Sequence, residues 1–265
     1  MSFRIVLQIL LAMLAALLAG GCATSPMGRS QLVFMPADQM TALGAQAFQQ
    51  KRRSSQVETD PTVNRYVQCV ARTLLGPEAR GWEILVFRDD SPNAFALPGG
   101  KIGVQTGILK AARNQHQLAA VLAHEIAHVR ANHSNERISQ QFAMQQGLDL
   151  VGAVSNPTTQ TGKTLLGLLG IGAEYGVLMP YNRLQESEAD LVGLDWMAQA
   201  GFDPEQAVQL WQNMERLGGG QPAEFLSTHP SHATRIQDLQ NRMPQALALR
   251  KQAQASGRNP QCDGR

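Results

Sequence analysis

His124-Glu125-Ile126-Ala127-His128 is the stretch whose residue types and spacing best suit chemistry. It lies inside the apolar run Val121 to Val129, which reads as a helix. Residues four apart on a helix stand one above the other. The two imidazoles can therefore turn toward a single Zn²⁺, with Glu125 beside them to take a proton from a water that the metal acidifies. That set hydrolyses a peptide bond without a covalent intermediate. The bland alternative, two core histidines around a buried glutamate, leaves a carboxylate in an apolar helix at full cost; a metal removes that cost.

A catalytic zinc takes three protein ligands and keeps one position for water. Ala131 and Ser134 stand where the longer H-E-x-x-H-x-x-G-x-x-H pattern needs Gly and His. A distant carboxylate is left, from Glu136, Glu174, Glu186, Glu188, Glu205, Glu215 and Glu224. Helical phase along 185–200 narrows the choice. Glu188, Asp195 and Gln199 share a stripe expected to face water. Glu186, Ala189, Asp190, Gly193, Trp196 and Ala200 share a small, apolar stripe expected to face inward. Glu186 is the predicted third ligand. Asp190, one turn on, is placed to hold a ligating imidazole by its free N–H, and Gly193 permits close helix packing. The competing reading is a buried salt bridge from Glu186 to Arg183 or Arg235. His133 falls off the ligand face and reads as a surface or packing residue; His116 reads as solvated.

The elements that must position these residues are legible in outline. Pro36 to Gln50 has helical spacing, and Asp60-Pro61 opens a helix with Val63, Tyr66, Val67 and Val70 on one face. Trp82 to Phe87 reads as a strand and residues 93–100 as a turn-rich connection. Lys101 to Thr106 alternates as a second strand, with Ile102, Val104 and Thr106 on one side. Asn114 caps the helix of the metal motif, with Gln117 in the capping-box position. Residues 155–163 read as a loop, Thr164 to Met179 as a helix or lid over the site, and helices follow from about Leu184 and Pro204. The expected fold class is α+β, mainly helical: a zincin-type (gluzincin) domain with a small sheet beside the H-E-x-x-H helix.

At the N-terminus, Arg4, the apolar run Ile5 to Leu18 and the small residues before Cys22 read as a lipoprotein-type signal over 1–21, with Cys22 as the lipidation site. The expected division is then a tether and short strand over 22–35, a metallopeptidase domain over 36–250 and a polar, frayed tail over 251–265. Ala23 after the Cys points to a lipid anchor on the periplasmic face of the outer membrane. A formal charge of +2 without a basic stripe argues against nucleic acid as a partner. Cys69 and Cys262 then remain as a possible disulfide in an oxidising compartment.

The whole pattern resembles the HtpX and CAAX-prenyl-protease type of zinc metallopeptidase, metallopeptidase family forty-eight. The likeness rests on His124 to His128, Glu186-Ser187-Glu188-Ala189-Asp190, Asn93 to Gly100, Ala200 to Pro204, and Ser227-Thr228-His229-Pro230-Ser231 with Arg235. Among its members the soluble periplasmic lipoproteins are the nearest in pattern. The resemblance implies one Zn²⁺ per chain on His124, His128 and Glu186, with Glu125 as general base. It also implies that His229 caps the zinc as a gate or donates to the transition-state oxyanion, with His232 and Tyr181 as weaker candidates for the latter. Strand Lys101–Thr106 would pair with an extended peptide. Unfolded or misassembled envelope proteins would be substrates, and envelope assembly factors possible partners. The rival from another class is a holdase or assembly factor for outer-membrane proteins, its zinc closed by four protein ligands and purely structural.

Overall fold

The computed structural model describes residues 22–145, 159–169, 181–217, 224–229 and 234–262. The signal reading of 1–21 and most of the expected lid lie outside them. A hairpin of β1 (Cys22–Thr24) and β2 (Ser30–Leu32) leads into α1 (Ala37–Ser54) and α2 (Pro61–Leu75). A 3-10 turn over Gly76–Gly81 precedes β3 (Glu83–Phe87), β4 (Ala94–Leu97) and β5 (Lys101–Gln105). The helices α3 (Ile108–Ala111), α4 (Gln115–Arg130), α5 (His133–Gln145) and α6 (Gln160–Leu168) follow. The described chain ends with α7 (Arg183–Gln199), α8 (Glu205–Leu217), α9 (Glu224–Thr228) and α10 (Arg235–Ala255). The architecture is mainly helical with small sheets.

The centre of the molecule is α4, buried almost all round from Gln117 to His128. A helix apolar on every face has to be a core element. It packs on α7, on α2, on α8 and on β4. Asn114 caps it by accepting from the N–H groups of His116 and Gln117, a contact that contributes about 1 kcal/mol. Gln117 reaches back one residue further than a capping box requires and accepts from the Arg113 N–H at 2.8 Å. The helix α7 starts with a complete capping box between Asn182 and Gln185. Gly193 on α7 meets α4 where a side chain could not: a Cβ there would lie 2.9 Å from the His124 backbone nitrogen. The predicted close packing of the two helices is real, and it occurs at a metal-motif residue.

Several expectations are corrected. Residues 94–97 form a strand, β4, hidden in the sequence because two of its four residues are alanine; only Pro98 to Gly100 turn, with Gly99 and Gly100 at φ +80° and +71°. Strand order is β3-β5-β4, parallel then antiparallel, with Ile102 opposite both Ile84 and Ala96. Both sides of β5 are thus occupied, so the expected pairing of 101–106 with a peptide cannot take place. Among the described residues the sheet margin beside α4 is β4. Residues 160–163, read as loop, open α6 under a Thr159 cap.

The two ends are also more ordered than their polarity suggested. The 22–35 segment is no loose tether: Gln31 is buried and donates to the Ala131 carbonyl at 2.7 Å. Nor is the tail frayed through 262. The Gln115 side chain donates to the Pro260 carbonyl at 3.1 Å and accepts from the Cys262 N–H at 2.8 Å. Cys69 and Cys262 are joined in a disulfide with their Cα atoms 5.6 Å apart. A sequence separation of 193 makes this a large closed loop, for which chain entropy gives a stabilisation of about 5 kcal/mol. Cys262→Ser is therefore expected to lower the melting temperature by about 10 °C in scanning calorimetry, and a shift below about 2 °C would show that the crosslink adds little.

Candidate metal centre

Four buried side chains converge. His124 and His128 come from one face of α4, Glu186 from the first turn of α7, and His229 from just beyond α9. Nε2 of His124 lies 3.0 Å from Nε2 of His128 and 3.2 Å from Nδ1 of His229. Glu186 Oε1 stands 3.0 Å from His229 Nδ1 and 3.4 Å from His128 Nε2, and Oε2 stands 3.6 Å from His124 Nε2. Ligands about 2.0–2.1 Å from a tetrahedral zinc sit about 3.3–3.4 Å from one another. The spacing of these donors fits that geometry, and the four can hold one metal ion, consistent with Zn²⁺.

The electrostatics fit as well. Three buried carboxylates, Glu125, Glu186 and Asp190, share the centre with one buried guanidinium, Arg235, which contacts Glu186 and Asp190. Burying like charges together is costly unless they are compensated, and a divalent cation would do so. Glu125 Oε1 is buried without a hydrogen bond, with the His229 Nε2 atom 3.3 Å away. Burial lifts the Glu125 carboxyl above the usual range, while His229 and His124 pull it down and the Ala96 N–H of β4 donates to it. Burial also acts to raise Glu186, but His229 and Arg235 outweigh it and hold that carboxyl well below the usual range. For His229, burial is outweighed by Glu125 and Glu186, and its pKa is raised.

Asp190 stands where helical phase put it. Its Oδ1 accepts from the His124 Nδ1 at 2.9 Å, and Arg235 grips both its oxygens. The Arg235 guanidinium lies over the Trp211 ring at 3.6 Å and also reaches Glu186 Oε2 at 3.0 Å. The salt bridge weighed against the ligand reading is thus present alongside the donor cluster. Tyr181 stacks on the His128 ring at 3.9 Å, with its hydroxyl 3.2 Å from Ser134 Oγ. His232 lies outside the described residues. His116 is half-buried, remote from the centre, and accepts from the Asp203 N–H at 3.1 Å.

Two residues were misjudged from sequence. Glu188 does not face water: it is 5% exposed, covered by the N-terminal hairpin and by His133. His133 is fully buried, and its Nδ1 is 2.8 Å from Nδ1 of His128. The projection from His128 failed because α4 stops at Arg130. Asn132 then takes a left-handed turn at φ 55°, and His133 opens a new helix pointing back at the old one. An Asn just past a helix end was the available signal.

Beside His128 a cavity of about 340 Å³ opens between the N-terminal segment and the end of β4. Val33, Met35, Met40, Pro98 and Val129 give it an apolar lining.

The family model described as Peptidase family M48 matches residues 58–243. The chain belongs to peptidase family M48. Among its relatives is the mitochondrial metalloendopeptidase OMA1 of Schizosaccharomyces pombe, 42% identical over 172 residues, covering 64% of this chain and 49% of the relative. The human metalloendopeptidase OMA1, mitochondrial, is 36% identical over 178 residues, covering 64% and 34%. The beta-barrel assembly-enhancing protease of Escherichia coli is 27% identical over 229 residues, covering 83% and 47%. The chain spans about half or less of the length of these M48 relatives. Membership of M48 is the common ground with the HtpX and CAAX-prenyl-protease resemblance. The expected outer-membrane lipoprotein location is overturned, because the OMA1 relatives that match at higher identity are mitochondrial proteins. A leader pattern made only of a charge, an apolar run and small residues is too loosely specified to fix an address. None of the described helices is long and apolar enough to cross a membrane.

Proposed function

We propose that this M48 chain is a zinc metalloendopeptidase that cuts exposed backbone in unfolded or misassembled proteins. The observation that carries the reading is the Glu125 carboxyl, buried and unbonded at Oε1, set between the four-donor cluster and the N–H of Ala96 on the sheet margin. His124, His128 and Glu186 are the assigned ligands. Zinc bound there supplies Lewis acidity for the scissile carbonyl and acidifies a water. Glu125 accepts the proton from that water and delivers it to the leaving amine, a role suited to a carboxyl whose pKa is raised by burial. Asp190 and Arg235 fix the His124 ring. The cavity beside His128 takes an apolar side chain of the substrate. The substrate class rests on the relatives named as OMA1 and as a beta-barrel assembly-enhancing protease. Zinc content and casein cleavage, with and without a chelator, test the reading. Stoichiometric zinc without any chelator-sensitive cleavage would favour a holdase with a structural metal.

That alternative is favoured by one feature: His229 occupies the fourth donor position. In the peptidase reading His229 is a gate that must withdraw before water can enter. His229→Ala should then raise basal proteolysis or self-cleavage. If His229 instead donates to the oxyanion, the same change should cost about a hundredfold or more in kcat. Single-turnover cleavage by zinc-loaded His229→Ala separates the two, and an unchanged rate removes His229 from the mechanism.

A further inference from the structure

The two metal-motif histidines of α4, His124 and His128, are braced differently, and one brace leaves the family-matched region. His124 has Asp190 directly behind Nδ1, and Asp190 is held by Arg235. Behind Nδ1 of His128 stands another imidazole, His133, at 2.8 Å. Nε2 of His133 is 3.3 Å from Glu188 Oε2. Glu188 is held by the N-terminal hairpin: Arg29 Nε donates to Oε2 at 3.3 Å and the Met27 N–H donates to Oε1 at 3.1 Å. The same guanidinium makes two bonds, 2.5 and 2.7 Å, to Glu136, which also accepts from Gln31 and Gln185.

This contact order fixes the protons. A His128 ring that turns Nε2 to the donor cluster carries its proton on Nδ1. Nδ1–H then donates to Nδ1 of His133, which leaves the His133 proton on Nε2, pointing at the Glu188 carboxylate. The chain is therefore the counterpart of the Asp190–Arg235 brace with one imidazole inserted, and it ends on a residue outside the matched residues 58–243.

We infer that His133, Glu188 and Arg29 form a relay of positioning residues that orients His128 for zinc, so that the N-terminal hairpin is a working part of the metal centre. The inference rests on the zinc reading of the site. Partners that orient a metal-bound histidine are worth roughly tenfold to a hundredfold in metal affinity. Removing them should weaken binding without removing a ligand.

The test is zinc affinity of the full chain by competition with a fluorescent chelator. His133→Phe keeps a ring but neither hydrogen bond, Glu188→Gln removes the charge, and Arg29→Met acts at the partly exposed far end. The zinc dissociation constant is expected to rise by roughly ten- to a hundredfold in His133→Phe and by less along the chain toward Arg29→Met. Far-UV circular dichroism and melting of the metal-free proteins report folding separately. In zinc-loaded parent protein the His128 Nδ1 proton should be visible by NMR as a solvent-protected signal, lost in His133→Phe. If His133→Phe does not fold, Arg29→Met decides. A parent that binds zinc while folded variants bind it as tightly and keep the protected proton overturns the relay alone. A parent that takes up no zinc overturns the functional reading and the relay with it.

Discussion

Glu125→Gln is expected to fold and bind zinc as the parent does and to lose about a thousandfold in kcat, within the range general bases contribute. The substitution keeps the side chain's size, its place beside Ala96 and an oxygen near His229. It removes the one property the mechanism needs, a basic oxygen. Glu125 is outside the four-donor cluster, so the zinc stoichiometry should stay at one. Zinc analysis with single-turnover cleavage of unfolded casein checks both halves. A parental rate in a zinc-loaded Glu125→Gln protein would end the assigned role.

The second large effect concerns the carboxylate with two claims on it. Glu186 reaches the imidazole cluster and the Arg235 guanidinium alike. If it is a ligand, Glu186→Ala should weaken zinc by more than the roughly hundredfold that loss of an outer partner costs. It should also destabilise the metal-free protein, because the buried Arg235 would lose one of the two carboxylates it contacts directly. Zinc titration of Glu186→Ala against Asp190→Asn decides the matter. Equal or smaller loss in Glu186→Ala would make the carboxylate a salt-bridge partner rather than a ligand.

The helical phase of 185–200 sorted Glu186 and Asp190 onto the face that meets His124, because α7 is one uninterrupted helix over that range. The same phase placed Glu188 on another face. What it could not supply was that the other face is also covered, since the cover arrives from a hairpin about 160 residues earlier in the chain. Periodicity reports how residues are arranged around an axis, and burial depends on what packs there. His133 was lost for a different reason: extrapolation across a helix end has no meaning once the backbone turns at Asn132. The strand β4 was missed because alanine carries little strand preference, so pairing with β5 had to supply what local chemistry did not. His229 came only from the family resemblance. Nothing in its own neighbourhood says that a loop histidine will meet α4 and α7.

The contact at Gly193 bears on how the centre can move. With a glycine Cα lodged against the backbone of His124, α7 cannot slide along α4 without bringing Ala189 or Met197, one turn away on the same face, against that backbone. His124, His128 and Glu186 all ride on this locked pair of helices, so their mutual separations are stiff. His229 rides on neither. Three donors are set by one pair of helices and the fourth by the last turn of α9, where the His229 N–H donates to the Phe225 carbonyl at 2.8 Å, so a shift of α9 against that pair alters one donor alone.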